Sequence, residues 1–158
     1  MATDLAPRHI NPRVAAKDGK EPNNWASPFG GSCWEYDAAT GEYYFHFFAR
    51  KQPDLNWDNA RVRGEVFAMM EYWIARGVDG FRMDVINVIS KPADFPDAPV
   101  TLSDARYQPA GLLVNNGPRF LEYMGEMKQR VLSKHDLFTV GETHRVTPQL
   151  AQTYVGTC

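Results

Sequence analysis

Gly-Val-Asp-Gly-Phe-Arg-Met-Asp-Val at residues 77–85 and Phe-Thr-Val-Gly-Glu-Thr at 138–143 decide the fold. Each is a short apolar strand with a carboxylate at its C-terminal end, Asp84 in the first and Glu142 in the second. A helix-length amphipathic segment lies between them. Strand, crossover helix and strand predict two parallel strands joined by a right-handed crossover. Both carboxylates then leave the sheet at the same edge. Arg82 lies two residues before Asp84, so its side chain projects to the same face.

Working outward, residues 59–76 read as a helix. Asp58 or Asn59 can cap it, Val62, Val66, Met69, Met70 and Trp73 share one face, and Gly77 is a candidate C-cap. Residues 91–116 carry four prolines and read as one long loop, a length that is usually functional or mobile in a compact domain. A second helix is predicted from about Pro118 to Lys134, with Phe120, Met124, Met127 and Val131 as its apolar stripe. The second strand covers 137–142, and a short tail follows. Upstream, two aromatic runs within 33–48 flank a turn containing Asp37 and Gly41, which predicts a hairpin. Residues 1–24 show no periodicity and read as an irregular leading segment. The order is hairpin, helix, strand, long loop, helix, strand, which argues for an α/β fold with a parallel sheet.

Composition narrows the function. The chain has 158 residues, the size of one ordinary domain, with 44% hydrophobic and 23% charged residues, as in a globular protein. A formal net charge of −2 leaves no basic footprint for nucleic acid or an anionic membrane. No apolar run approaches the ~20 residues of a membrane span, and the N-terminus lacks the pattern of a signal peptide. His9, His46, His135 and His144 are scattered without metal-ligand spacing, so neither a metal nor a cofactor is expected. Cys33 and Cys158 make no disulfide framework. They are expected to be free thiols, with the chain in the cytoplasm. Aromatic residues reach 13%, which suits either a filled core or a cleft on which sugars stack.

Two carboxylates converging on one point suit glycoside hydrolysis, where a retaining pair stands ~5–5.5 Å apart. Arg82 would favour the ionised form of Asp84, as a nucleophile requires. Glu142 would be the acid, held protonated by its surroundings. The alternative for Asp84 is a structural carboxylate that caps a helix or pairs with Arg82. For Glu142 it is a capping or surface residue.

Longer motifs carry a resemblance. They are Glu-Pro-Asn-Asn-Trp at 21–25, Phe-Gly-Gly-Ser-Cys-Trp-Glu-Tyr-Asp at 29–37, Gln-Pro-Asp-Leu-Asn-Trp at 52–57, Gly-Val-Asp-Gly-Phe-Arg-Met-Asp-Val-Ile-Asn at 77–87, Asn-Gly-Pro-Arg at 116–119 and Thr-Val-Gly-Glu-Thr at 139–143. In this order they resemble family 13 of the glycoside hydrolases, the α-amylase superfamily, and within it the oligo-1,6-glucosidase and maltase branch.

The resemblance implies a fragment of a TIM (β/α)8 barrel, from about the third helix to the fifth strand, preceded by the hairpin end of an inserted β-rich subdomain. The divisions are then 1–20 as an irregular N-terminal segment, 21–58 as the end of the insert and 59–158 as partial barrel. It also implies Asp84 as nucleophile, Glu142 as general acid/base, and Arg82 as the residue orienting the nucleophile. In this branch Val at the position of Val85 accompanies acceptance of α-1,6 links and Thr accompanies restriction to α-1,4, although Val85 can also merely pack. Substrates would be short isomaltose- or maltose-like α-glucosides. Smaller departures are Cys33, where small residues are usual, and Leu121, where a His is common. A complete barrel takes eight βα units and roughly 250 residues. These residues supply about two units. The family's His-bearing substrate motif and its Asn-His-Asp motif, with the third essential carboxylate, do not occur among them. The chain alone is therefore expected to be inactive. Two alternatives are a truncated non-catalytic product and an amylase-like transporter subunit. The second fits poorly with a chain that keeps Asp84 and Glu142 and has no membrane span.

Overall fold

The computed structural model describes residues 14–15 and 19–155. Residues 1–13, 16–18 and 156–158, and with them Cys158 and most of the segment read as irregular, lie outside the described residues. Val14–Ala15 are not irregular. They form β1, which borrows the open edge of the hairpin and pairs antiparallel with Tyr43 and Glu42. Next come β2 (Trp25–Ala26), β3 (Trp34–Asp37) and β4 (Glu42–Phe45). The last two form the predicted hairpin, with Trp34 opposite Phe45 and Asp37 opposite Glu42. Its turn is built by Asp37, whose carboxylate accepts from the Ala39 N–H at 3.0 Å, and by Gly41 at φ +71°.

Helix α1 spans Ala60–Ile74, capped by the Asn59 side chain on the Arg61 N–H, an arrangement that contributes about 1 kcal/mol. The expected stripe needs correction. Val62, Phe67 and Met70 are buried, whereas Met69 and Trp73 are each 47% exposed. The inner face is turned by Phe67 towards the second helix, and Met69 lines an open groove beside the next strand. That strand, β5, is Gly80–Met83. The chain then turns through Val85, held at φ +39°, into a 3₁₀ turn at Ile86–Val88.

The segment read as one long loop is interrupted twice, by β6 (Gln108–Pro109) and α2 (Gly111–Val114). Strand β6 pairs in parallel with β2, with Trp25 opposite Gln108. Gln108 itself is buried, and its side chain satisfies Thr101, Leu102 and Ala105 backbone groups at 2.8–2.9 Å. The loop is thus ordered by Gln108, by a two-residue ladder, and by Asn23, Asn24 and Trp25, whose side chains bond backbone groups of Phe95, Ala98 and Pro96.

Helix α3 (Phe120–Arg130) buries Phe120, Tyr123 and Met127. It is followed by a 3₁₀ turn at Leu132–Lys134 and by β7, Phe138–Gly141. The tail is not featureless: α4 covers Pro148–Val155 and lays Tyr154 edge-on against Phe120 at 4.9 Å. Strands β5 and β7 pair in parallel, Gly80 opposite Phe138 through Met83 opposite Gly141, with α3 in the crossover. No helix among the described residues is long and apolar enough to cross a membrane.

Two apolar clusters form. One holds Trp57, Phe67, Met70, Ile86, Phe120, Tyr123 and Met127 between α1, α3 and β5, whose Phe81 and Met83 pack against it. The other packs Trp25, Trp34 and Phe45 around Phe95, with ring centroids 5.2–6.0 Å apart, a separation suited to edge-to-face aromatic pairs. Much of the aromatic excess therefore fills a core. Cys33 lies in this second cluster as a free, fully buried thiol, and burial pushes its pKa up to about 12. It is chemically quiet there.

Candidate active site

The ladder between β5 and β7 runs one step beyond the strands. The Glu142 N–H donates to the Met83 carbonyl at 2.9 Å, and the Ile86 N–H donates to the Glu142 carbonyl at 3.1 Å. Asp84 and Glu142 are thereby held at the same end of two adjacent parallel strands. Both side chains point to solvent, with Asp84 71% and Glu142 38% exposed.

Arg82 stands between them. One guanidinium nitrogen reaches the Asp84 carboxylate at 2.9 Å and another donates to Glu142. From the sequence, Arg82 was expected to serve Asp84. The structure makes it common to both carboxylates, because the parallel register sets Arg82 opposite Val140, two residues before Glu142. Glu142 is not enclosed in an apolar pocket either. Its second oxygen lies 3.9 Å from His144 Nε2.

Val85 links Asp84 to the 3₁₀ turn in a left-handed conformation, an uncommon state for a β-branched residue. Beyond it, Asn87 is fully buried and bonded on several sides. Its side chain donates to the His144 carbonyl at 2.7 Å and to Asn116 Oδ1 at 2.8 Å, and accepts from the His144 N–H at 3.2 Å. Tyr154 donates to the same Asn116 oxygen at 2.6 Å. Sequence reasoning passed over Asn87, Asn116 and Tyr154. Two of them stand inside motifs already quoted, yet nothing local signals that they meet.

His144 also lines a cavity of about 490 Å³, a volume within the range of small-molecule sites. Its walls are Ser27, Pro28, Phe47 and Phe48 on one side and Pro109, Asn115, His144 and Arg145 on the other. Aromatic faces beside polar groups are surfaces on which a sugar ring can stack and hydrogen-bond. Among the described residues, no three His, Cys, Asp or Glu side chains are grouped to hold a metal ion.

The family model of the α-amylase catalytic domain matches residues 8–157. The chain belongs to the α-amylase family of glycoside hydrolases. Among its curated relatives, an oligo-1,6-glucosidase of Parageobacillus thermoglucosidasius is 57% identical over 133 residues, which is 84% of this chain and 24% of that protein. An α-glucosidase of Pediococcus pentosaceus is 53% identical over 141 residues, 87% of this chain and 24% of its own. Among solved structures, the trehalose-6-phosphate hydrolase of Bacillus licheniformis superposes with a TM-score of 0.79 at 43% identity, covering 89% of this chain and 24% of the enzyme. The isomaltulose synthase of Klebsiella sp. LX3 gives 0.82 at 38% identity, covering 91% and 25%. The structural neighbours are barrel enzymes of the α-amylase family. The chain spans about a quarter of the length of the relatives it matches.

Proposed function

We propose that these residues carry the carboxylate pair of a retaining α-glucosidase acting on terminal α-1,6 and α-1,4 bonds of short oligosaccharides. The observation that supports this reading is the placement of Asp84 and Glu142 one residue beyond two paired parallel strands, with Arg82 touching both. On this reading β5 and β7 are the fourth and fifth strands of a (β/α)8 barrel, α1 and α3 are its third and fourth helices, and residues 21–58 end the subdomain inserted after the third strand. In such a barrel the C-terminal ends of the strands carry the chemistry.

Asp84 attacks the anomeric carbon and forms a β-glycosyl ester. Glu142 protonates the departing glycosidic oxygen and then, as carboxylate, takes a proton from the water that releases glucose. Arg82 keeps Asp84 ionised and aimed. When Glu142 carries the proton on its other oxygen, the contact with Arg82 keeps its acceptor and loses its charge. Val85, beside the nucleophile, biases the linkage towards α-1,6. No cofactor takes part, and neither nucleic acid nor a membrane surface is a partner.

The 158 residues by themselves are proposed to be inactive. The third carboxylate and the His residues that hold the sugar in this family are not among them, and each such loss typically removes ~10²–10³-fold in rate. The test is to exchange residues 8–157 into the matching stretch of the Parageobacillus oligo-1,6-glucosidase and assay isomaltose and maltose. Turnover that vanishes in Asp84→Asn and Glu142→Gln variants supports the reading. An exchanged enzyme that folds but is silent, or stays active in those variants, overturns it.

A further inference from the structure

We infer that Asn87 is a positioning residue that sets the spacing of Asp84 and Glu142 by clamping the His144 peptide. The inference rests on the reading of Asp84 and Glu142 as the catalytic pair. Three features of the geometry carry it.

The first is place. Asn87 is three residues beyond Asp84, and the His144 groups it binds are two residues beyond Glu142. Its carboxamide therefore ties together the two segments that leave the strand ends, 57 residues apart in sequence.

The second is chemistry. The clamp accepts from the His144 N–H and donates to the His144 carbonyl, so it needs a donor and an acceptor on one short planar group. Asn has both. Asp has no donor, Ser and Ala are too short to reach both groups, and Gln is one methylene too long for a site with no exposed surface. A buried carboxamide with these bonds made is rigid, and one with them broken is costly.

The third is support. The second donor bond of Asn87 goes to Asn116, whose N–H also donates to the Asn87 carbonyl at 2.8 Å. Asn116 Oδ1 is shared with Tyr154, and Asn116 Nδ2 holds the Arg145 carbonyl at 3.3 Å. The clamp is thus anchored through α4 rather than free to drift with the loop.

Glu142 is fixed from its N-terminal side by Met83 and at its carbonyl by Ile86. Asn87 supplies the hold on its C-terminal side. Without it, the Glu142 side chain keeps the strand ladder but loses the peptide that stops it swinging, and a ~1 Å displacement of a catalytic group can cost ~10²-fold.

The test has two arms. In the segment-exchanged enzyme, amide hydrogen exchange is compared between the unmodified protein and Asn87→Ala, Asn87→Asp and Tyr154→Phe. The expected result is exchange at His144 faster by about tenfold or more in Asn87→Ala and at least as fast in Asn87→Asp, whose buried carboxylate would set an acceptor against the His144 carbonyl and Asn116 Oδ1, with the smallest effect in Tyr154→Phe. Trp34 and Phe45 amides in the hairpin should be unaffected, which separates local release from general loosening. In the segment-exchanged enzyme, Asn87→Ala should lower kcat by roughly 10²-fold with KM changed little. An unchanged His144 amide, or an active exchanged enzyme whose kcat ignores Asn87→Ala, overturns the inference. An exchanged enzyme inactive before any substitution counts against the proposed function instead, and the hydrogen-exchange arm, which needs only a folded protein, then decides Asn87 alone. If Asn87→Ala does not fold, Tyr154→Phe decides. A kcat unmoved in that variant, with the His144 amide unmoved as well, would contradict the clamp.

Discussion

The backbone N–H of Glu142 donates to the carbonyl of Met83 at 2.9 Å, which sets Glu142 level with Asp84 at one end of the β5–β7 pair. That bond depends on register, and register depends on how closely the two strands approach. Gly80 sits where a Cβ would collide with the Phe138 carbonyl. Gly80→Ala should therefore force the strands apart, destabilise the chain by about 2 kcal/mol or more and disorder both carboxylates. Denaturant melts of the segment-exchanged enzyme, monitored beside the Glu142 amide resonance, check this. An unshifted midpoint would contradict it.

Val85 predicts linkage preference. Thr is also β-branched, so Val85→Thr leaves the strained φ of +39° equally strained and changes only a methyl for a hydroxyl. In the segment-exchanged enzyme the ratio of kcat/KM on isomaltose to that on maltose should fall, by about tenfold or less. An unchanged ratio would mean that Val85 only packs.

The α1–α3 contact predicts a pH dependence. Arg63, buried, pairs with Glu126 at 2.5 Å, and Arg130 adds a second contact at 3.0 Å. Burial pushes the Glu126 carboxyl up, but the two guanidinium partners outweigh it and hold its pKa below the ordinary 4.5. A carboxyl depressed in the folded state contributes stability that is present above 4.5 and is lost as pH falls through the lower folded value. Thermal melts of the segment-exchanged enzyme between pH 6 and 3 should show this loss, and Glu126→Gln should remove part of it while lowering stability at pH 6. The same pH dependence in Glu126→Gln would assign the effect to other groups.

Strand β7 predicts association. Phe138 is 78% exposed and Val140 45%, beside the short parallel pair. An apolar, unpaired strand edge invites pairing with another chain. The 158-residue chain should therefore self-associate and lack a sharp cooperative melt as a monomer. Phe138→Lys should shift sedimentation profiles towards monomer. A monomeric, cooperatively melting chain without that substitution would contradict the prediction.

The parts that were legible in the sequence are those that advertise themselves locally. The hairpin shows aromatic runs around Asp37 and Gly41, and α1 shows Asn59 before a periodic face of which Val62 and Met70 are buried while Met69 and Trp73 are not. The β5 and β7 segments show apolar runs ending in carboxylates. What was missed is held by distant partners. Strand β6 is two residues long and exists because the Gln108 N–H reaches the Asn24 carbonyl at 2.7 Å, and no periodicity can be read in two residues. Helix α4 did leave a signal, Thr147 before Pro148, a cap residue followed by a residue suited to the first helical turn. Asn87 looks like the end of an apolar run, and its role emerges only when His144 and Asn116 are brought to it by the fold.

The central claim is that Asp84 is a nucleophile paired with Glu142, and covalent trapping tests it most directly. The segment-exchanged enzyme is incubated with 5-fluoro-α-glucosyl fluoride, digested and examined by mass spectrometry. The account predicts one fluoroglucosyl adduct, on Asp84, formed faster than it is released and absent in Asp84→Asn. An active enzyme that forms no adduct, or carries it on Glu142 or any other residue, would contradict it.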